Sequence, residues 1–444
     1  MKVLVINSGS SSLKYELFNL DTEASLMSGA VSRIGLGGAQ HAYSCASQEE
    51  SQTIEAPDHL SAIDCILKSL TGVEKAPISK LSEIGAVAHR IGHGGTLYRG
   101  PVVIDQNVID EIRRLIPLMP LHHPAMLTGI EVCRKVLPDV PHVAVFDTSF
   151  HSMIPEEAAI YGLPYEISAQ GIRKFGFHGN SHEYVALKAA EYLERPLKRL
   201  NIISCHLGNG ASVCAIQRGH SIDTSMGFSP LEGLIMGTRV GDLDPGIIPY
   251  LMREQKLSID EIDKMLNNKS GLLGISGVSS DMRELIAAAE GDHARALLAI
   301  KTFCYRIKKY IGAYHGILGG ADALIFTGGI GENNRGIRVR CIQGLEKIGF
   351  AVDIVRNDRC KVNDANPVCD ISARYSNIPI LVVATDEELM IARQCALALD
   401  YKRSIKQDVM ATDKRPIRIS VSVRHAHLSK PDVEALFGPG HVLT

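Results

Sequence analysis

Val3-Leu-Val-Ile-Asn7 runs into Ser8-Gly-Ser-Ser-Ser12 and then into Leu13–Phe18. The two outer runs are short and apolar, so they read as strands, and the middle is a small polar turn. About two hundred residues later the pattern returns. Asn201-Ile-Ile-Ser-Cys205 leads through His206-Leu-Gly-Asn-Gly210 into Ala211–Ile216. Repetition at this distance implies two related units, each offering a phosphate-gripping hairpin to a shared cleft. The repeat is short, and by itself it is as compatible with chance as with duplication.

Outward from these hairpins, strand-like and helix-like segments alternate to about residue 400. Ala86–Ala88, His142–Phe146, Ala323–Phe326 and Ile378–Val383 read as further buried strands. Asn107–Leu115, Ala125–Val136, His182–Leu193, Ala294–Leu318 and Glu387–Leu399 carry apolar residues at helical spacing. Such alternation indicates an α/β protein. The chain has 444 residues, 45% hydrophobic and 22% charged, with a formal net charge of −2. That length suits two domains, and that charge offers no field to recruit nucleic acid or an anionic membrane. No apolar run is long enough to span a bilayer, and the N-terminus lacks the pattern of a signal peptide. The 10 cysteines include no C-x-x-C pair and read as reduced core residues of a cytoplasmic protein.

Three Gly-rich turns follow strands: Asn7–Ser12, His206–Gly210 and Gly328–Glu332. Glycine lets backbone N–H groups approach phosphate oxygens without a Cβ clash. One such turn is compatible with a tight turn and nothing more; three together point to a nucleotide. None is a P-loop or a dinucleotide fingerprint. Arg90 ends a strand in His89-Arg-Ile-Gly-His-Gly-Gly95, and Arg239 sits in Met236-Gly-Thr-Arg-Val-Gly-Asp242. A guanidinium fork matches carboxylate and phosphoryl oxygens. A surface ion pair is the alternative, and apolar and glycine neighbours disfavour it. Asp147 follows the apolar strand Val143–Phe146. That is a common catalytic or metal-organising position, with helix capping as the bland alternative. His122, His123, His151, His178 and His182 lie around it without any zinc-ligand spacing.

Together these stretches resemble the acetate kinase family (acetate and propionate kinases) of the sugar kinase/Hsp70/actin superfamily. The likeness covers roughly residues 1–400 through long motifs in family order. They include Asn7–Lys14, His89–Gly95, Pro120–Pro124, Val143–His151, Phe175–His182, Asp223–Gly233, Met236–Pro245, Ser279–Arg283 and Phe326–Asn333. The resemblance implies two actin-like (ribonuclease H-like) α/β domains around a nucleotide cleft, usually in a homodimer. Residues 1–150, completed by about 385–400, would form one domain and 151–384 the nucleotide-binding one. The implied reaction is reversible transfer of the ATP γ-phosphoryl group to acetate or a similar acid, giving acyl phosphate and ADP. Asn7 and Glu387 would serve Mg²⁺, for which Mn²⁺ can substitute. Lys14 would lie near the phosphates, Arg90 would bind the carboxylate, and Asp147, His178 and Arg239 would support transfer. ATP would be held by His206, Leu207, Gly208, Asn209 and Gly210, by Asp281, Met282 and Arg283, and by Gly329, Ile330, Gly331, Glu332 and Asn333. A carboxylate needs no strong base, so Asp147 is expected to orient Arg90 or the metal shell rather than to remove a proton. An actin-like scaffold is the reading from another class. The retained Arg90, Asp147, His178 and Arg239 speak against it, because a scaffold needs no substrate arginine.

Departures from the family pattern bear on specificity. The family commonly has two valines after the arginine, the second lining the acyl pocket; here they are Ile91 and Gly92. With Leu121, Phe177 and Pro230 as the other walls, Gly92 is expected to enlarge the pocket and favour propionate or longer acids. Asn180 replaces a Thr, His123 an Asn, and Asp386 the Asn before Glu387. Residues 401–415 read as a linker. Beyond it, Ile419–Ser429, with His425 and His427, resembles the opening of the PduL-type phosphate acyltransferases. The two histidines match that family's metal-binding His-x-His, but the remaining ligands and most of that domain are absent, so residues 416–444 read as a fusion remnant or truncated piece. They point to acyl-CoA chemistry next to the kinase reaction.

Overall fold

The protein is described here from a computed structural model. It describes residues 1–45, 48–120, 122–410, 421–422 and 425–426. Residues 1–396 form one compact unit and 397–444 a second.

The first unit holds two sheets. In the eight-stranded one, β1 (Lys2–Ser8), β2 (Ser12–Asn19), β3 (Ala24–Ser32), β4 (Ala39–Cys45) and β5 (Gln48–Ile54) form an antiparallel meander. On the other side of β1 lie β6 (Ile84–Ile91) and β8 (His142–Phe146), both parallel to it, with β7 (Val102–Val103) at the edge. The six-stranded sheet repeats the plan. β9 (Asn201–Leu207), β10 (Ala211–Gln217) and β11 (His220–Thr224) form the meander, and β12 (Ala323–Thr327) and β14 (Ile380–Val383) follow in parallel. β13 (Val368–Asp370) closes the edge. The repeat read in the sequence is therefore a repeat of topology: β1–β2 and β9–β10 are equivalent hairpins, each beside a parallel strand.

Parallel strands need cover on both faces, and their sequences show it. All five residues of β8 and all five of β12 are buried. The helix Ala294–Ile317 packs beneath the second sheet through Phe303, Ile307 and Ile311. The helix His123–Val136 covers the first, and it lies so close to β1 that a Cβ on Gly129 would stand 2.1 Å from Ser8 Oγ.

Several elements differ from expectation. β3, β4 and β5 carry many polar residues and gave no apolar run to detect. Gly328–Asn333 is a short helix and not a turn. Gly328 has φ +75°, and its backbone meets Leu207 where a side chain would not fit. The helix beginning at Glu387 continues to Met410, through much of the stretch read as linker. In the second unit, Val421–Ser422 (β15) pairs antiparallel with His425–Ala426 (β16). His427 lies outside the described residues. No helix among the described residues is long and apolar enough to cross a membrane.

Candidate active site

Parallel neighbours end at the same side of a sheet, and β6 and β8 end together, with Ile91 opposite Phe146. Arg90 and the next residue after β8, Asp147, are thereby brought face to face. Arg90 Nε donates to both carboxylate oxygens of Asp147 at 3.0 and 3.1 Å, and Nη2 donates to Oδ2 at 2.7 Å. Asn180 Nδ2 donates to Asp147 Oδ1 at 2.9 Å. Gly179 makes that approach feasible: its N–H donates to the Asp147 carbonyl, and a Cβ there would lie 2.3 Å from that oxygen. Glu387, the first residue of its helix, places Oε2 3.3 Å from Arg90 Nη2. The contact is not aligned for a hydrogen bond, and this buried oxygen has no other partner among the described residues.

Burial pushes the Asp147 carboxyl above its usual range and Glu387 adds to this, while Arg90 and Asn180 pull it back. For Arg90, burial opposes the charge, but Asp147 and Glu387 outweigh it and hold the guanidinium firmly protonated. Two of the three Arg90 nitrogens are thus committed to Asp147. Nη1 makes no hydrogen bond among the described residues. Asn7 lies one residue beyond Ile6, which pairs with His89, so Asn7 stands at the same sheet end as Arg90. It is also directly opposite Lys14, an exposed residue of β2.

The second wall comes from the other sheet. His178 takes a left-handed backbone (φ 57°) just before the helix Gly179–Tyr192. Its Nδ1 contacts Ser212 Oγ at 2.9 Å, and the same hydroxyl contacts His182 Nε2 at 2.8 Å. Burial pulls both imidazoles well below their usual pKa, so they are neutral at pH 7. Ser212 has one proton, so it donates to one ring and accepts from the other. A Cβ on Gly210 would sit 3.4 Å from His178 Nε2 and 3.6 Å from Arg239 Nη1, so all three converge. Arg239 has no ion-pair partner among the described residues, and burial lowers its pKa. His122 adds to this centre: burial, then Arg239 and Arg90, lower its pKa.

From the Gly210 loop a cavity of about 680 Å³ opens, lined by Gly208, Asn209, Asp281, Met282, Arg283, Gly329, Ile330 and Asn333, all expected from sequence. Ser280 and Asn334 also line it and were not expected. Leu207 and Gly331 are buried in packing. Glu332 points inward: its Oε1 accepts from Gly328 N, Thr327 Oγ1 and Thr385 N at 2.9, 3.2 and 3.1 Å. It therefore ties β12 to the segment before Glu387 rather than facing the cavity. His206 packs against His178 with ring centres 4.3 Å apart and the planes tilted by 30°. Asp281 caps the helix Met282–Glu290 through Arg283 N and also pairs with the Arg283 side chain.

The pocket enlargement expected at Gly92 is not found. A Cβ on Gly92 would meet Met119 Sδ at 2.6 Å and Cε at 2.8 Å, so the thioether already fills that space. Phe177 is buried, Pro230 is half-buried, and Leu121 lies outside the described residues. Asp386 does not face a metal site through both oxygens, since Oδ1 accepts from Leu389 N at 2.8 Å and caps the following helix. Met119, Ser212 and the hold of Asn180 on Asp147 were missed from sequence. Only Asn180 left a trace there, as a departure from the family's Thr.

The comparisons with known proteins agree with this geometry. Residues 2–393 match the model of the acetokinase family. An acetate kinase of Caldicellulosiruptor bescii is 52% identical over 395 residues, covering 89% of this chain and 98% of the relative. The crystal structure of an acetate kinase from Porphyromonas gingivalis superposes with TM-score 0.84 at 41% identity, covering 90% of this chain and 99% of that one. A propionate kinase structure from Francisella tularensis gives 0.82 at 39% identity, covering 88% and 98%. With the motif order, the paired hairpins and the arginine-lined cleft all in agreement over most of its length, the chain belongs to the acetokinase family.

Proposed function

We propose that the chain transfers the γ-phosphoryl group of ATP to acetate, reversibly, giving acetyl phosphate and ADP. The observation that carries this reading is a pair of half-buried guanidiniums with spare donors. Arg90 is locked by Asp147 yet keeps Nη1 free, and Arg239 has no counter-anion among the described residues. A partly desolvated cation without a counter-anion, as at Arg239, gains most when an anion arrives.

In the proposed step a carboxylate oxygen forms a bond to the γ-phosphorus as the bond to the ADP oxygen breaks. No proton moves, so no base is required. The obstacle is bringing an anion to a polyanion. Arg90 Nη1 holds the carboxylate, and Asp147 and Asn180 fix the angle of the fork. Arg239 and neutral His178 donate to the phosphoryl oxygens where charge develops. Asn7 and Glu387 offer oxygen donors, and the orphaned Glu387 Oε2 suits a hard divalent cation, which we read as Mg²⁺ with Mn²⁺ able to substitute. Such an ion would neutralise charge on the nucleotide phosphates. Glu387 also touches Arg90, so the metal and carboxylate sites share one charge network.

Lys14 is read as a phosphate contact from β2, and Gly208, Asn209, Met282, Gly329 and Ile330 as the walls for the nucleoside. Homodimeric assembly and a cytoplasmic location rest on family kinship. So do the domain limits 1–150 with 385–400, and 151–384. A second reading, propionate kinase, is favoured by the Francisella relative. Trapping the acyl phosphate with hydroxylamine across acetate, propionate and butyrate tests both. Product from acetate in excess supports the first reading, propionate in excess the second, and no product from any acid removes both.

A further inference from the structure

Gly92 follows Arg90 by two residues, and alternate residues of an extended chain share a face, so a side chain there would lie on the Arg90 side. That space is taken from another direction. Met119 Sδ and Cε would lie 2.6 and 2.8 Å from a Cβ at Gly92, and Met126 Cε 3.8 Å. Gly92 N also donates to Met126 Sδ at 3.3 Å, which seats this backbone between two thioethers.

Met119 is held in place. Its carbonyl accepts from His122 N and His123 N at 3.1 and 3.0 Å, and its own N–H donates to Ile116 O at 3.0 Å. It is buried in the cluster that includes Phe177, Ile235 and Met236. Its backbone thus leads directly into His122, the imidazole beside Arg90 and Arg239. Its side chain lies against Gly92, in the core cluster that also holds Phe177.

We propose that Met119 is the specificity-determining wall of the acid pocket, replacing from the opposite side the side chain missing at Gly92 and confining the site to acetate. The proposal rests on the carboxylate kinase reading and deepens it. Methionine has three rotatable bonds and yields more readily than a β-branched residue. The expected selectivity is therefore graded, falling from acetate to propionate and again to butyrate.

The test is kcat/KM for the three acids in the native enzyme, Met119→Ala, Gly92→Val and the double variant. Truncating Met119 should raise the propionate-to-acetate ratio at least about tenfold, the discrimination expected from one methylene in an apolar pocket. Gly92→Val should push the thioether into the pocket and lower the ratio. Combining it with Met119→Ala should restore the native preference, so the two effects are strongly non-additive. If Met119→Ala does not fold, Met119→Val carries the same comparison with a smaller loss of volume. Active variants with unchanged acid ratios, or strictly additive ones, overturn the proposal. A native enzyme that phosphorylates no acid overturns the underlying reading instead.

Discussion

The behaviour of Arg90 turns on one carboxylate. Asp147 takes two of its nitrogens, and the third, Nη1, makes no hydrogen bond among the described residues. Asp147→Asn removes the charge and at least one of those bonds, and Arg90 is then left to Glu387. We expect kcat/KM for the acid to fall at least about a hundredfold, comparable to the loss of one preorganised electrostatic contact. Steady-state rates with varied acid and varied Mg²⁺ check this; near-native values with unaltered metal dependence would remove the positioning role. At this scale much was readable in advance. Arg90, Asp147, His178 and Arg239 stand in motifs whose residue types announce anion chemistry, and the fold brings Arg90 to Asp147 and His178 to Arg239. Met119 was not readable, because a methionine in an apolar run carries no mark of the glycine it will meet 27 positions earlier in sequence. Nor was the role of Ser212, which depends on two histidines reaching one hydroxyl across a strand and a helix.

Among the elements, the helix Gly179–Tyr192 matters most to the site. It starts against the Asp147 carbonyl, carries Asn180 to the carboxylate and presents His182 to Ser212. Gly179→Ala would force a Cβ into backbone that cannot move aside. The expected cost is about 1–3 kcal/mol in stability, typical of overpacking, with a loss of kcat at least as large as that of Asn180→Ala. Denaturant unfolding with parallel rate measurements separates the two effects. Stability and rates both at native level would show that the contact is dispensable. The buried parallel strands β1, β6, β8, β9, β12 and β14 were legible as apolar runs. β4 and β5 were not, since half-exposed antiparallel strands alternate with polar residues and Gln48–Ile54 is exposed almost throughout. The short helix at Gly328 was mistaken for a turn because glycine signals both.

For the whole molecule, the buried imidazoles predict a dependence of stability on pH. Burial takes His151 and His123 down to about 4 and His93 to about 3, with His89, His178 and His182 also well below the ordinary value. Above pH 6.5 these groups are neutral in both states and contribute no difference. Below it the unfolded chain takes up protons that the folded one refuses, so stability falls from pH 6.5 towards 4. For His151 alone that is about 3 kcal/mol, at 1.36 kcal/mol per pH unit. Glu16 and Glu183 act in the opposite sense, because burial raises both to about 7 and the folded chain protonates them first; Asp147, Asp386 and Glu388, also raised by burial, act with them. With His41, His122, His142 and His206, also lowered by burial, ten histidines against five carboxylates leave a net loss on acidification. Thermal unfolding from pH 7.5 to 5 should show Tm falling below pH 6.5; a flat or rising Tm would contradict it. At the same scale the doubled hairpin, visible in sequence as two strand-turn-strand stretches, proved to be a doubled sheet topology. In the proposed reaction this cleft joins ATP to a carboxylate through Arg90. This is tested most directly by hydroxylamine trapping with acetate, ATP and Mg²⁺, comparing the native chain with Arg90→Ala. The native chain should give acid-dependent and metal-dependent acetyl hydroxamate, and the variant should lose at least about a hundredfold in kcat/KM. ATP turnover without acyl product, or a fully active Arg90→Ala, would contradict it.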